Sequence, residues 1–217
     1  MGAGGGSECP EGAFRVLRCR SHTFCTHPHA HSLIQIRILL SFSGSLSVTA
    51  APIPSLPVPD IAASSLWLPT LSSATQSLPS LDPLAVFLDT EPTPSSLFTR
   101  TKTTCRDHYT AARNRFHIPP PPAASPLEVL LYNEDGDITE TSIRNIAFVR
   151  RSPPRWVTPS ASTGCLPGVM RRWLLEHGRI VEAVEGELKR DGVVEGEYVL
   201  TFNGVEGCRI GQIRFNE

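Results

Sequence analysis

A stretch rich in proline and serine divides the chain and limits where a regular fold can form. Residues 51–84 favour a long loop, because proline lacks a backbone donor and interrupts helices and strands. Residues 1–32 show no apolar periodicity and are expected to form a divergent, disordered N-terminal segment. Alternation around central turn residues predicts a β-hairpin over residues 33–50. A continuous core is therefore expected in residues 85–217.

Short strands dominate this last part of the chain. The segment 127–132 reads as a strand, and the turn residues 133–136 lead into a returning strand. One helix is expected to open at Pro167 and close at Gly178, the usual places for these residues. The pattern predicts an α+β fold and not a series of βαβ units. The other predicted elements are strands over 85–88, 138–140, 146–149, 156–157 and 197–202, and a helix over 107–116.

The charge balance and the cysteines narrow the classes of partner and location. A formal net charge of -1 argues against general binding to nucleic acid or to an anionic membrane. The apolar run near residues 33–42 is interrupted by Gln35 and Arg37 and is too short to span a bilayer. Six cysteines are scattered through the chain, which fits a reduced compartment better than a disulfide scaffold. We therefore expect a cytoplasmic protein.

Lysine is scarce, so any chemistry that needs a lysine amine has two candidates, Lys102 and Lys189. Lys102 lies among threonines and near Arg100 and Arg106. Neighbouring cations and burial lower the pKa of a lysine, and an amine must lose its proton to act as a nucleophile. By local composition alone, a solvated loop lysine is the simpler interpretation. Lys189 lies in a polar stretch and is interpreted as a surface residue.

Three further segments could hold a charged ligand. Glu140 follows a strand among hydroxyl residues and could pair with a protonated ring nitrogen. The helix start after Pro167 offers free backbone amides to an anion. A strand ending in Thr201, Asn203 and glycines could bring hydroxyl and backbone groups close to a second anion contact. The simpler interpretations are an exposed carboxylate, a capped helix and an ordinary turn.

The order and spacing of these segments resemble the class IV aminotransferase and 4-amino-4-deoxychorismate lyase family, the fold-type IV pyridoxal-phosphate enzymes. The segment Leu130-Leu-Tyr-Asn-Glu-Asp-Gly-Asp-Ile-Thr-Glu140 resembles the family's strand-turn-strand before its ring-binding glutamate. The segment Lys102-Thr-Thr-Cys-Arg-Asp-His-Tyr-Thr-Ala-Ala-Arg113 is similar to the lysine segment of fungal aminodeoxychorismate-lyase-like proteins. The resemblance covers roughly residues 34–50 and 85–215.

The resemblance implies the large domain of the fold-type IV enzymes and pyridoxal 5'-phosphate as cofactor. The family's N-terminal small domain is expected to be missing or truncated, because no His-x-x-Arg-Leu type segment is found. Each implied site residue matches one position of the family's motifs. These are Lys102 as the Schiff-base lysine and catalytic residue, Glu140 as the ring-nitrogen carboxylate, Asn145 as the support of that loop, the backbone amides of Val169 and Met170 at the phosphate, and the side chain of either Thr201 or Asn203 as a further phosphate ligand.

The implied activity is that of a lyase that expels pyruvate to give 4-aminobenzoate for folate synthesis. The alternatives are a class IV aminotransferase of the branched-chain or D-amino-acid type, and a catalytically inactive remnant. The expected partners are a small amine substrate and, if the fold is complete, a second copy of the chain.

A third and separate hypothesis concerns the Cys- and His-rich segment 19–31. Its spacing fits no standard zinc finger, so we expect no metal.

Overall fold

The computed structural model describes Phe14–Arg15 and residues 33–41, 43–53, 83–121 and 123–215. Two compact units are present. The first comprises Met1–Ser55 and Thr101–Arg106, and the second comprises Leu56–Arg100 and Asp107–Glu217. Lys102 therefore belongs to the first unit, and the other predicted site residues belong to the second.

The first unit contains a three-stranded antiparallel sheet. Its strands are β1 (Phe14–Arg15), β2 (Leu33–Leu40) and β3 (Leu46–Ile53), in the order β1-β2-β3. β2 and β3 pair from Leu33 opposite Ile53 to Leu40 opposite Leu46. The turn between them is closed by Ser41, whose hydroxyl accepts a hydrogen bond from the Ser45 amide at 2.9 Å. This arrangement is the β-hairpin that the alternation over residues 33–50 favours.

The second unit is built on one mixed sheet of eight strands in the order β6-β5-β4-β11-β10-β7-β8-β9. β4 lies parallel to both β5 and β11, and β8 lies parallel to β9, while the other neighbours are antiparallel. The strands are β4 (Leu84–Leu88), β5 (Leu127–Tyr132), β6 (Ile138–Thr141), β7 (Asn145–Arg150), β8 (Arg155–Thr158), β9 (Val181–Glu182), β10 (Tyr198–Asn203) and β11 (Gly207–Arg214).

The sheet curls because of a short connection between two strands that are far apart in its order. β6 ends at Thr141 and β7 begins at Asn145, yet four strands separate them in the sheet. The Thr141 amide donates to the Arg144 carbonyl at 2.8 Å, which closes the connection as a tight turn. The curl encloses a core in which Val86, Phe148 and Val199 have no exposed surface. The start of β7 is thereby fixed against the end of β6.

Two helices cover the outer faces of the curled sheet, after a single short turn, α1 (Leu97–Arg100). The helix α2 (Asp107–Arg115) buries Tyr109 and Ala112 in a cluster with Val129 and Leu131. The helix α3 (Val169–Glu176) buries Leu174 in a cluster with Trp156 and Phe202. The α+β class predicted from the sequence is confirmed by this arrangement.

Some boundaries differ from the sequence-based expectation. The helix expected to open at Pro167 begins at Val169, because Gly168 has extended backbone angles of φ −62° and ψ 150°. The sequence patterns predict none of β1, β9 and β11, and β1 lies within the N-terminal segment 1–32 that is expected to be disordered. β11 carries Gly207, Arg209 and Gly211 in a weakly apolar run, and its strand form depends on pairing with β10 and β4 on either side.

None of the helices in the described part of the chain has the length and apolar character needed to cross a bilayer.

Candidate active site

Glu140 is a buried carboxylate near the end of β6, and it is 4% exposed. The Tyr109 hydroxyl donates to its Oε1 atom at 2.5 Å, and the Leu166 amide donates to the same atom at 3.3 Å. The Asn145 side-chain amide donates to Oε2 at 3.3 Å. Hydrogen bonds to a carboxylate favour its ionised form and offset the cost of burial. The network therefore holds a negative charge in one orientation inside the fold.

Hydroxyl groups surround this carboxylate. Thr93, Thr99 and Thr139 line a small cavity together with Tyr109 and Glu140. Hydroxyl dipoles can stabilise a nearby charge, so the cavity is a polar environment within an otherwise apolar fold.

The helix α2 is held against the Glu140 strand by two side chains one helical turn apart. Tyr109 reaches Glu140, and Arg113 donates to the Ser142 hydroxyl at 2.7 Å. The Arg113 guanidinium also lies 3.5 Å from Glu128 Oε1. Residues four apart share one helix face, which explains how both contacts form at once. The helix α2 is thus docked on the strand that carries Glu140.

Asn145 joins the start of β7 to the loop that precedes α3. Its side-chain amide donates to the Leu166 carbonyl at 2.8 Å as well as to Glu140. The Asn145 Oδ1 atom would lie 2.3 Å from a Cβ atom built on Gly168. No side chain fits at that position without moving Asn145, so glycine permits the close approach of this loop.

The start of α3 has no side-chain cap, so its first backbone amides are suited to an anion. Gly168 occupies the N-cap position and supplies no side-chain hydrogen bond to the helix. The first amides of a helix have no acceptor within the helix, and they carry the positive end of its dipole. Val169 is 58% exposed and Met170 is half-buried. Their backbone amides are therefore suited to a phosphate group.

The end of β10 lies beside the start of β7, because Phe202 pairs with Asn145. Thr201 is fully buried, and its hydroxyl donates to the Arg209 carbonyl at 3.1 Å. Asn203 is half-buried at the last position of the strand. Its position is the more open of the two candidates for a phosphate ligand.

The predicted site residues divide between the two units. One group lies in the second unit, on elements that meet around Asn145, and consists of Glu140, Asn145, Val169, Met170, Thr201 and Asn203. Lys102 lies in the first unit, and its side chain is exposed. The roles of all seven residues in binding a cofactor stay predictions.

Cys165 lies next to this group without contributing a nucleophile. It is 1% exposed, and its thiol contacts the Ser160 carbonyl at 3.6 Å. Burial, and to a smaller degree the Glu140 charge, raises the pKa of the Cys165 thiol to about 12. A thiol with such a pKa stays protonated near neutral pH and is inert.

The described residues contain no group of three or more His, Cys, Asp or Glu side chains that could hold a metal ion. The Cys- and His-rich segment 19–31 lies outside the described residues, so the expectation about it stays a prediction.

Tyr109, the Leu166 amide and Gly168 are parts of the site that sequence reasoning missed. The nearest signal was the predicted helix over 107–116, which places Tyr109 and Arg113 on one face. Nothing local indicates that Tyr109 meets a carboxylate 31 residues away.

A family model described as amino-transferase class IV matches residues 25–212 of this chain. Over 196 residues, the chain is 33% identical to the aminodeoxychorismate lyase of Saccharomyces cerevisiae, covering 83% of this chain and 51% of that protein. Over 76 residues, it is 49% identical to the putative aminodeoxychorismate lyase of Schizosaccharomyces pombe, covering 35% of this chain and 32% of that protein. The chain thus spans about half the length of the first relative and a third of the second.

The fold is similar to that of a solved structure from Mesorhizobium loti, a putative amino-acid aminotransferase. The TM-score is 0.60 at 25% sequence identity, and the match covers 83% of this chain and 73% of that chain.

Proposed function

This chain belongs to the class IV aminotransferase family, and from that premise we propose that it is a pyridoxal-phosphate-dependent lyase acting on 4-amino-4-deoxychorismate. The products are pyruvate and 4-aminobenzoate. The S. cerevisiae relative, named aminodeoxychorismate lyase, supports this choice of reaction at 33% identity over 83% of the chain. The structural observation that carries the proposal is the buried Glu140 carboxylate, oriented by Tyr109 and Asn145.

The residues of the second unit fit pyridoxal phosphate. A buried carboxylate held by hydrogen bonds suits a protonated pyridine nitrogen, and Glu140 provides it. An uncapped helix start suits the phosphate, and Val169 and Met170 provide its amides. Asn203 adds a side chain at the neighbouring strand end. When bound, the cofactor supplies an electron sink, because a protonated pyridine ring accepts the electrons of a carbanion.

Glu140 would accept a hydrogen bond from the ring nitrogen and favour its protonated state through its negative charge. Tyr109 and Asn145 keep the carboxylate in place, so it does not turn towards another partner. The backbone amide of Leu166, in a half-buried loop, donates a further hydrogen bond to the carboxylate. These residues position charge and do not themselves react.

Lys102 would hold the cofactor through its side-chain amine and later move a proton. Once a substrate amine takes its place, the freed amine can remove the proton from the substrate carbon that bears nitrogen. Departure of pyruvate then makes the product ring aromatic. The same lysine and glutamate would serve an aminotransferase, in which the proton is returned and a keto acid leaves.

An aminotransferase is the second candidate function, because the M. loti structure with the same fold is named a putative amino-acid aminotransferase. The distinction lies in the substrate pocket and not in Lys102 or Glu140.

We further propose a cytoplasmic location, a role in folate synthesis, a small amine substrate and a homodimer. The resemblance to the family supports these proposals. Cys105 is disulfide-bonded, so the scattered cysteines do not support the reduced compartment that the sequence predicted.

The activity is tested by its products. The purified full chain, supplied with pyridoxal phosphate and aminodeoxychorismate, is expected to release pyruvate and 4-aminobenzoate in equal amounts. A keto acid formed from an amino acid, without pyruvate from aminodeoxychorismate, would favour the aminotransferase. Absence of both products would support the inactive remnant.

A further inference from the structure

Arg144 is a buried guanidinium with incomplete hydrogen bonding. It is 4% exposed in the turn between β6 and β7. Its Nη2 atom forms an ion pair with Glu206, and its Nε atom lies 4.0 Å from Glu128 Oε2. In the described part of the chain, its Nε and Nη1 atoms have no hydrogen-bond partner. Unpaired buried donors are costly, so this group is suited to an additional acceptor.

The charges around Arg144 are positive on balance, which favours binding of an anion. Burial lowers the pKa of Arg144 to about 10, and the positive charge of Arg209 adds to the effect. The Glu128 carboxylate is shared between two arginines, because it lies 3.5 Å from Arg113 as well as 4.0 Å from Arg144. The positive charges of Arg113 and Arg209 both act on Arg144, whereas its ion-pair partners are Glu128 and Glu206. Among these five side chains, the positive charges exceed the negative charges by one.

Of the two glutamates that pair with Arg144, Glu206 is the one that an anion could displace. Its side chain is 42% exposed, whereas those of Arg144 and Glu128 are 3% and 2% exposed. A released Glu206 carboxylate is solvated by water at little cost, while Arg144 stays buried. Because only the Glu206 side of the pair is open to solvent, a competing anion can replace Glu206 without leaving the buried Arg144 charge unpaired.

The Glu206 Oε2 atom that pairs with Arg144 also accepts a hydrogen bond from Asn203. The Asn203 side-chain amide donates to Glu206 Oε2 at 3.4 Å, and it lies 3.4 Å from the Ile143 carbonyl. Its Oδ1 atom accepts hydrogen bonds from the amides of Val205 and Glu206, which hold the turn in shape. The carboxylate is therefore bound by an arginine and an asparagine, the groups that bind an oxyanion.

This pair is linked to the proposed phosphate contacts through Asn145. Phe202, which precedes Asn203, pairs with Asn145, and Asn145 contacts the N-cap of α3 at Gly168. Arg144 directly precedes Asn145 in the chain. The turn that carries Asn203 and Glu206 is thus joined, through the pairing of Phe202 with Asn145, to the helix start proposed to bind the phosphate.

We propose that Arg144 and the Asn203 side chain bind the phosphate monoester of the cofactor, and that the Glu206 carboxylate occupies this pair until the phosphate displaces it. The inference rests on the proposed function, because it assigns a regulation to the same phosphate site. Cofactor affinity then includes the cost of breaking the contact between Arg144 and Glu206. Removal of the Glu206 charge is expected to raise the affinity for phosphate.

Inorganic phosphate is a suitable probe, because its binding needs neither Lys102 nor turnover. Isothermal titration of the full chain is expected to show binding roughly tenfold tighter in Glu206→Gln than in the wild type, equivalent to about 1.4 kcal/mol. Glu195→Gln is the matched control, since Glu195 also pairs with an arginine, Arg214, at 3.7 Å on the surface. The control accounts for the general loss of one negative charge and is expected to change affinity less than twofold.

Two further experiments test whether Arg144 is the donor and whether the cofactor phosphate is the ligand. Arg144→Met in the Glu206→Gln background is expected to remove the gain; if that variant does not fold, the two glutamine variants decide the proposal. Pyridoxamine 5'-phosphate is expected to compete with inorganic phosphate, and pyridoxamine is not. Equal affinity in the wild type and Glu206→Gln, a gain that survives the loss of Arg144, or failure of pyridoxamine 5'-phosphate to compete would each overturn the inference. Failure of the proposed lyase would appear separately, as absence of pyruvate with phosphate binding intact.

Discussion

The Tyr109 hydroxyl donates a hydrogen bond of 2.5 Å to Glu140, and both side chains are buried. This contact joins α2 to the strand that carries the proposed ring-binding carboxylate. Arg113 adds a second contact one turn further along the same helix. The position of the helix and the orientation of the carboxylate are therefore coupled.

Tyr109→Phe is expected to lower the free energy of unfolding by about 1–3 kcal/mol, because a buried carboxylate loses a donor. Urea denaturation measures the change. Tyr198→Phe is the control, since Tyr198 is only half-buried on β10. Equal stability of the wild type and Tyr109→Phe would show that the contact does not contribute to folding.

Gly168→Ala is expected to destabilise the chain by about 1–3 kcal/mol, because the added carbon would overlap Asn145 Oδ1 at 2.3 Å. Gly192→Ala is the matched control, since no atom lies within 4 Å of a Cβ atom at that position. Thermal unfolding of both variants tests the steric argument. A larger loss in the Gly192 variant would contradict it.

Arg113→Met is expected to cost about 3–5 kcal/mol, because it leaves the Glu128 charge buried without one of its partners. Arg151→Met is the comparison. Arg151 pairs with Glu187 at 2.7 Å, but its side chain is 35% exposed, so we expect a much smaller loss. Chemical denaturation is expected to show a larger loss of stability in Arg113→Met than in Arg151→Met. The reverse order would contradict the argument that the Arg113 ion pair is the buried one.

Cys165 is expected to resist alkylation in the folded protein. With a thiol pKa of about 12, only about one thiol in ten thousand is ionised at pH 8. Iodoacetamide at pH 8 should leave the Cys165 peptide unmodified in the native state and modify it after unfolding, as read by mass spectrometry. Rapid native labelling would mean that the thiol is exposed or activated.

The sequence predicts much of the second unit because its signals are local. The strand at 127–132 and the turn after it follow from alternation and from Asn133 and Gly136. The helix at 107–116 and the helix start near Gly168 follow from similar local patterns.

The contacts between distant segments could not be predicted in this way. The partner of Tyr109 depends on how α2 packs on the curled sheet, and the need for glycine at 168 depends on Asn145. β11 is weakly apolar and becomes a strand because both of its edges are paired. The ion pair of Glu206 with Arg144 likewise depends on how the turns pack and not on a local pattern.

Absorption spectroscopy of the full chain titrated with pyridoxal phosphate tests the central claim most directly. The wild type is expected to develop the visible band of lysine-bound cofactor, Lys102→Ala is expected to lose it, and Lys189→Ala is expected to keep it, since Lys189 pairs with Asp137 at 2.7 Å on the surface. Identical spectra for the wild type and Lys102→Ala would contradict the assignment of Lys102 and, with it, the proposed chemistry.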